Sequence, residues 1–363
     1  MTAETSVIIL NWNGARLLPD CLSALAEQTY RDFDLWLVDN GSIDESGALL
    51  DDLERSTQPS WLKAPLPRMA RIIRNEDNTG FAAGNNLAMR QCRSKYVVAL
   101  NNDAIAEPDW LGHLVSTADN AGRCVGMVAS TMLFSHLPDM VASAGISIHR
   151  DGVALDRGLG VPTSRLEAED VKPVFGPSGG AALYSSALLQ DVGLFDERFF
   201  SYLEDADLAW RARSRGWQAL HDPRAKVRHE YSATGGHNSP FKKALISRNR
   251  VWLLYKNMPE ALLRRNWRYI TRYDALAVLN ALLTNDKPMV QGRLEGLSRL
   301  RELTDSRRKV ICSTRLHPDE MDRFLSPALS PRQVLKYRKR LNHLLTELRI
   351  TNYELQRGKT FNS

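Results

Sequence analysis

The sequence predicts an α/β fold built on a doubly wound, mostly parallel sheet flanked by helices. Three observations carry this. Short apolar, β-branched runs alternate with segments of helical spacing, the connections between them are short, and the strands end in Asn, Asp and Gly. Residues 6–10 (SVIIL) read as a buried parallel strand. Residues 16–28 come next, with Leu17, Leu18, Cys21, Leu22 and Leu25 on one helical face. A second strand spans 34–38 and a second helix 43–55. A weaker strand at 71–74 leads through NEDNTG into a small-residue helix over 81–92, and YVVAL at 96–100 is a fourth strand. Beyond it, 125–134 and 145–149 read as strands and 161–172 as a loop. A Gly-rich stretch from 176 runs into a helix at SSALLQDV, and a further helix covers 205–215 with acidic residues at its start, where they suit the helix dipole. After Gly236 the texture is helical and basic, over 242–256, 262–283, 290–301 and 331–355.

Length and composition set the outer bounds. The chain has 363 residues, 43% of them hydrophobic and 25% charged, which excludes a disordered chain, a collagen-like fibre and a disulfide-stapled mini-protein. The opening MTAETSVIILNWNG has no basic n-region and no small-residue cleavage site, so no signal peptide is expected. The apolar run at 273–283 is too short for a bilayer span and carries Asp274 and Asn280. Four cysteines without metal-finger spacing fit a reduced, cytoplasmic protein. The net charge of +6 is uneven. Residues 236–363 hold 26 Lys and Arg against 11 Asp and Glu, hence +15, while residues 1–235 hold 22 against 31, hence −9. The expected organisation is therefore a catalytic domain at 1–235 and a basic helical region at 236–363.

In doubly wound sheets ligands bind at the C-terminal strand ends. Here those ends are the loops 11–14, 39–44, 75–84 and 101–103, all rich in Asn, Asp and Gly. Each taken singly is also an ordinary turn. Asp39, just past the second strand, is placed to bind a base N–H or ribose hydroxyls. Neither GxGxxG nor GxxxxGK[ST] is present, which counts against a nicotinamide or flavin enzyme and a P-loop NTPase. A nucleotide diphosphate would then be neutralised by a divalent cation, Mn²⁺ or Mg²⁺, with Asp103 after Asn101 and Asn102 as a candidate ligand. Glu204, Asp205 and Asp207 lie among apolar residues as candidate acid–base groups, with helix capping or ion pairing as the plain alternative, and Arg211 one turn beyond Asp207 is placed to pair with it. His229 is a candidate metal ligand or a packing residue.

Seven segments together, SVIILNWNG, LVDNGSIDES, NEDNTGFAAGNN, VALNNDA, GPSGGAALYSS, GLFDERFFSYLEDADLAWRARSRGW and VRHEYSATGG, resemble the family-2 glycosyltransferases of the GT-A fold over residues 5–237. The likeness is to the rhamnosyltransferase-like and galactofuranosyltransferase-like branch. The resemblance implies that Asp39 grips the base or ribose, with Trp12 and Asn13 near the base pocket. Gly80, Phe81, Gly84, Asn85 and Asn86 would frame the nucleotide and diphosphate, beside Asn102. Asp103 stands at the second acidic position of the DxD metal motif, whose first position is Asn101 here. Asp205 matches the catalytic base, and His229 matches a histidine that completes metal coordination. Gly179, Gly180, Ala181 and Glu204 fall at the junction of donor sugar and acceptor. The reaction implied is inverting transfer of a sugar, L-rhamnose first, from a dTDP-, UDP- or GDP-linked donor to a cell-surface glycan or lipid-linked acceptor. The alternatives are another donor, such as UDP-galactofuranose or a hexose nucleotide, and a non-catalytic nucleotide-binding scaffold.

The basic half interleaves Trp252, Tyr255, Trp267, Tyr269 and Tyr273 with Arg248, Arg250, Lys256, Arg264, Arg265, Arg268 and Arg272. That pattern suits a helix lying on an anionic membrane, peripheral at the inner face of the plasma membrane. A packed appendage or a homo-oligomer contact competes with it. No RRM, KH, helix-turn-helix or zinc signature is present, so nucleic acid is not an expected partner.

Overall fold

The computed structural model describes residues 3–230 and 239–360, with side chains described as far as Leu345. The first part matches the sequence pattern closely. β1 (Thr5–Asn11), α1 (Leu18–Ala26), β2 (Phe33–Asn40), α2 (Ser46–Arg55), β3 (Arg71–Asn75), α3 (Gly80–Met89) and β4 (Tyr96–Asn101) come in the expected alternation. β1 lies between β2 and β4, parallel to both, and β3 adds in parallel beside β2. Residues of one strand serve two cores: Val7 and Ile9 join one apolar cluster and Ile8 the other. Burial on both faces is why these strands read as continuous apolar runs.

After β4 the order is less regular. β5 (Ala104–Ala106), α4 (Trp110–Asn120), β6 (Val125–Phe134) and β7 (Leu137–Ser143) precede a hairpin of β8 (Ile146–Ile148) and β9 (Ala154–Asp156). Then come α5 (Thr163–Glu167), β10 (Lys172–Val174), β11 (Ala181–Ser185), α6 (Ser186–Val192), α7 (Glu204–Ser214) and β12 (Gln218–His229). The main sheet runs β10-β12-β6-β11-β4-β1-β2-β3, with β5 beside β12 and β7 beside β6. Along that path β12, β6, β4, β1, β2 and β3 share one direction, and only β11 and β10 oppose it.

Several elements depart from the sequence expectation. The segment expected as a loop at 161–172 holds α5 and the start of β10. The Gly-rich stretch enters a strand before its helix. β11 is wedged antiparallel between β4 and β6 and is buried up to Ser185, so its side chains show no period. Ser185 then caps α6 through Oγ, which accepts from Leu188 N at 3.2 Å. β12 hides its strand character behind Asp222 and Pro223, where the pairing with β6 breaks register between His221 and Lys226.

The C-terminal helices are α8 (Pro240–Asn257), α9 (Glu260–Leu283), α10 (Lys287–Ser298), α11 (Thr304–Ser313), α12 (Pro318–Phe324) and α13 (Pro331–Thr360). Proline in the first turn opens α8, α10 and α12, where its missing N–H costs nothing. The expected boundary at residues 235–236, and the end of the VRHEYSATGG segment, lie outside the described residues. The helical region packs directly on the sheet domain. Trp252, Leu253, Leu254 and Met258 share one apolar cluster with Ile8, Val97, Leu208 and Trp210, while Leu344 and Leu345 of α13 join the other.

The basic face is partly internal. Trp252, Arg248, Arg250 and Lys256 are buried and engaged, Arg250 with Asp274 and Lys256 with Asp196 and Asp207. Trp267 and Tyr269 of α9 remain exposed, at 54% and 42%. Among the described residues no helix is long and apolar enough to cross a membrane.

Candidate active site

Parallel pairing delivers the strand ends to one edge of the sheet. Asn11 of β1 stands level with Asp39 of β2, and Leu10 with Asn101 of β4. The loops beyond are tied together by side chains. Asn13 N donates to Ser42 Oγ at 2.9 Å, Asn13 Oδ1 accepts from Ile43 N at 2.8 Å, and Ser42 Oγ donates to Asp39 Oδ1 at 2.5 Å. Asn13 thus latches two loops, in a positive-φ conformation (50°) that asparagine tolerates. Asn40 does the same one loop over, gathering Asn75, Asn78 and Thr79. Gly80 then enters α3 at φ +86°, and a Cβ there would stand 2.5 Å from Phe200 O.

These ends floor a cleft of about 730 Å³. Trp12, Gly80, Phe81, Asn102, Asp103, Gly179, Gly180, Glu204, Asp205 and His229 all line it, as does Asn101. Gly84, Asn85 and Ala181 do not. Gly84 lets α3 approach β1, since a Cβ would meet Leu10 Cδ1 at 2.4 Å. Asn85 Nδ2 donates to Phe81 O at 2.9 Å, and Ala181 is buried in β11. Asn86 likewise serves the fold, its amide bonded to the Phe195 backbone and to Glu197. Asp39 and Asn13 are not among the residues that line it; they tie the loops next to Trp12 through Ser42.

At the floor, Asp103 Oδ1 and His229 Nε2 lie 3.0 Å apart. Their meeting is a product of topology: β5 pairs antiparallel with β12, placing Ala104 opposite His229. Asn101 Nδ2 adds a contact to His229 Nε2 at 3.1 Å. Burial pushes the Asp103 carboxyl up, but the charge and hydrogen bond of His229 prevail and hold it below the usual carboxylate range. Burial pushes His229 down, and Asp103 more than offsets that, so the imidazole keeps its proton more firmly than usual. No cluster of three or more His, Cys, Asp or Glu suited to a metal occurs among the described residues. One oxygen and one nitrogen donor in the cleft suit a divalent cation, provided that the ion displaces the proton shared between them, as metal binding to histidine requires.

Asp205 lies in the first turn of α7. Its Oδ2 accepts from Gly179 N at 2.9 Å and its Oδ1 from Ala206 N at 2.7 Å. Burial outweighs these bonds and raises its carboxyl above the ordinary value. Glu204 is 5% exposed, and its Oε2 has no hydrogen-bond partner among the described residues. Burial and the Asp205 charge push it well up, toward the neutral acid. Asp207 is wholly buried instead among Arg211, Lys256 and Asn257, a structural ion pair.

The turn before Glu204 is strained. Phe200 has φ 64° and ψ −67°, with Ser201 N donating to Phe199 O at 2.7 Å, an uncommon left-handed γ-turn. Tyr202 and Leu203 also have positive φ, 71° and 67°. Asn249 of α8 holds this turn: its Nδ2 lies 2.9, 2.9 and 2.7 Å from the carbonyls of Phe199, Ser201 and Tyr202. Arg248 adds a bond to Phe199 O at 3.0 Å. The sequence did not single out Asn249, nor Asp156 and Lys242, which line the cleft. The period of α8 says nothing about carbonyls contributed by another element, and the pattern around residue 156 is too short to place.

The glycosyl transferase family 2 model matches residues 6–193, more than half of the chain. The protein belongs to that family. Family 2 likeness extends to curated relatives. An uncharacterized protein of Sinorhizobium fredii is 29% identical over 237 residues, covering 62% of this chain and 24% of the relative. The O-antigen biosynthesis protein RfbC of Myxococcus xanthus is 27% identical over 246 residues, covering 64% and 18%. An N-acetylglucosaminyl-diphospho-decaprenol L-rhamnosyltransferase of Mycobacterium tuberculosis is 39% identical over 72 residues, 20% of this chain and 23% of that one. The chain thus spans about a quarter or less of the length of these relatives. Among solved structures, GalNAc-T7 with UDP, GalNAc and Mn²⁺ superposes with TM-score 0.58 at 16% identity, over 84% of this chain and 54% of that one. The mannosyltransferase PcManGT of Pyrobaculum calidifontis with GDP-Man and Mn²⁺ gives 0.51 at 17%, over 86% of both chains. At such identities the likeness concerns the fold.

Proposed function

We propose that this protein transfers a sugar from a nucleotide donor to an acceptor hydroxyl with inversion at the anomeric carbon. The observation that carries the reading is the placement of Asp205 and the Asp103–His229 pair in one cleft. Asp205, held by two backbone N–H groups, takes the proton of the attacking hydroxyl, and its raised pKa makes it a stronger base than an exposed aspartate. Asp103 and His229, the latter as the neutral imidazole, would hold a divalent cation, Mn²⁺ or Mg²⁺. When bound, the cation supplies charge neutralisation for the departing nucleoside diphosphate. Attack of the acceptor hydroxyl in one displacement, with Asp205 as its base, gives inversion.

The nucleotide lies toward Trp12 and Asp39, framed by Gly80 and Phe81. Gly179 and Gly180 leave room for the sugar, and Glu204, as a neutral acid, donates a hydrogen bond to a sugar or acceptor oxygen. UDP and GDP-Man in the structural neighbours support a nucleotide-sugar donor, UDP- or GDP-linked or, with L-rhamnose, dTDP-linked, and the O-antigen and diphospho-decaprenol relatives support a cell-surface glycan or lipid-linked acceptor. L-Rhamnose is the first choice of sugar because of the mycobacterial relative. The exposed Trp267 and Tyr269 beside the arginines of α9 support docking at an anionic membrane face.

The test is a screen of dTDP-, UDP- and GDP-sugars with Mn²⁺ or Mg²⁺, read as donor turnover and thermal shift. A response to none of them refutes the reading. Turnover unchanged in Asp205→Asn removes Asp205 as the base, and nucleotide binding without any turnover favours a scaffold.

A further inference from the structure

One wall of the cleft has no role so far: the β8–β9 hairpin. Asp156 ends β9 opposite Ile146, and both line the cleft together with Leu155. The Asp156 carboxylate lies near enough to Asp205, Lys242 and His229 for their charges to act on it. Burial pushes its carboxyl up to about 6, so it remains mostly ionised at neutral pH. In the reading above, His229 marks the diphosphate end of the donor and Asp205 the point of attack. Asp156 lines the same cleft as both, on the hairpin wall, where a carboxylate can face a ring held between them. Glu204, 5% exposed and with Oε2 unpartnered among the described residues, independently marks that space as prepared for a polar ligand.

We propose that Asp156 accepts hydrogen bonds from hydroxyl groups of the transferred sugar and restricts the donor to uncharged sugars. This rests on the glycosyl-transfer reading. A carboxylate is an acceptor only, so it rewards hydroxyl donors and repels a sugar carboxylate.

The experiment measures binding by calorimetry with Mn²⁺ present. For the best-binding base, the probes are the bare nucleoside diphosphate, a neutral-sugar derivative and the matching uronate, such as UDP, UDP-glucose and UDP-glucuronate. Wild-type protein should bind the neutral-sugar form more tightly than the bare diphosphate and the uronate less tightly. Asp156→Asn, and Asp156→Ser as a second variant, should leave the diphosphate affinity unchanged. Each should lose about tenfold of the advantage conferred by the sugar and narrow the gap to the uronate. The inference is overturned if the sugar's advantage survives both variants, if the wild type gains nothing from the sugar, or if the uronate binds as tightly as its neutral counterpart. Failure to bind any nucleoside diphosphate overturns the glycosyl-transfer reading as well, which separates the two failures.

Discussion

Replacing Asn249 with alanine tests the idea that a C-terminal helix sets the geometry of the catalytic turn. Asn249 is fully buried, and its amide nitrogen lies within 2.9 Å of three carbonyls. Phe199 O keeps bonds from Ser201 N and Arg248 in the variant, but Ser201 O and Tyr202 O lose this partner. Each loss costs about 1–3 kcal/mol, toward the lower end here because both residues border the cleft and water can reach them. The same bonds oppose the strain of three non-glycine residues at positive φ, roughly 1 kcal/mol or more each. We therefore expect Asn249→Ala to lose about 2–4 kcal/mol of stability. The relaxed turn displaces Asp205, and a shift of about 1 Å costs roughly 100-fold in turnover. Chemical denaturation gives the first quantity. Steady-state kinetics gives the second as a fall in kcat, and the donor KM should rise with it, since Phe200 O of this turn packs against Gly80 and accepts from Ala82 N at 3.0 Å. A variant with wild-type stability and kcat would refute the argument that Asn249 holds the turn.

Other expectations rest on the same geometry. Asp205→Asn should lower kcat by about 100-fold or more while nucleotide affinity stays within a factor of two or so, measured by turnover and calorimetry. Because the Asp205 carboxyl is raised, the acid limb of the wild-type kcat profile should fall above the ordinary aspartate range, with activity lost as pH drops through it. His229→Ala and Asp103→Ala should abolish the dependence of nucleotide binding on Mn²⁺, read as the thermal shift with and without the cation. His221 is buried against Thr131 and Arg157, and burial pushes its pKa down to about 4, below the unfolded value of about 6.5. Its protonation favours the unfolded chain, so stability present above pH ~6.5 should decline by about 3 kcal/mol as pH falls toward 4. Melting curves of His221→Gln should lack that part of the decline. Liposome flotation should show binding that increases with anionic lipid and weakens in Trp267→Ala/Tyr269→Ala; absence of flotation at any salt refutes membrane docking.

The parts of the fold visible in the sequence are those with local causes. β1 to β4 and α1 to α3 are read from apolar period and from the Asn, Asp and Gly that end each strand, because those signals lie within one element. β11 and β12 were missed for opposite reasons. β11 is buried on every side and has no alternation, whereas Asp222 and Pro223 interrupt β12 at a break in register. The site obeys the same division. Asp103, Asp205 and Glu204 stand beside strand ends or helix starts and were readable as carboxylates in suitable places. Gly84, Asn85 and Ala181, equally motif-like, turn out to serve packing, because a motif does not say which way a residue faces.

The sequence by itself determined that this is an α/β protein with polar strand-end loops, that carboxylates stand at strand ends and at a helix start, and that charge is divided between acidic and basic halves. The tertiary structure decided what those halves do to each other. Trp252, Arg248 and Lys256, which in sequence resemble an amphipathic surface, are buried against α7 and its preceding turn. A helical period records which residues face away from water, but not whether a membrane, another subunit or the same chain covers them. Only the folded chain shows that residues far apart in sequence, Asp103 with His229 and Asn249 with the turn before Glu204, meet at bonding distance.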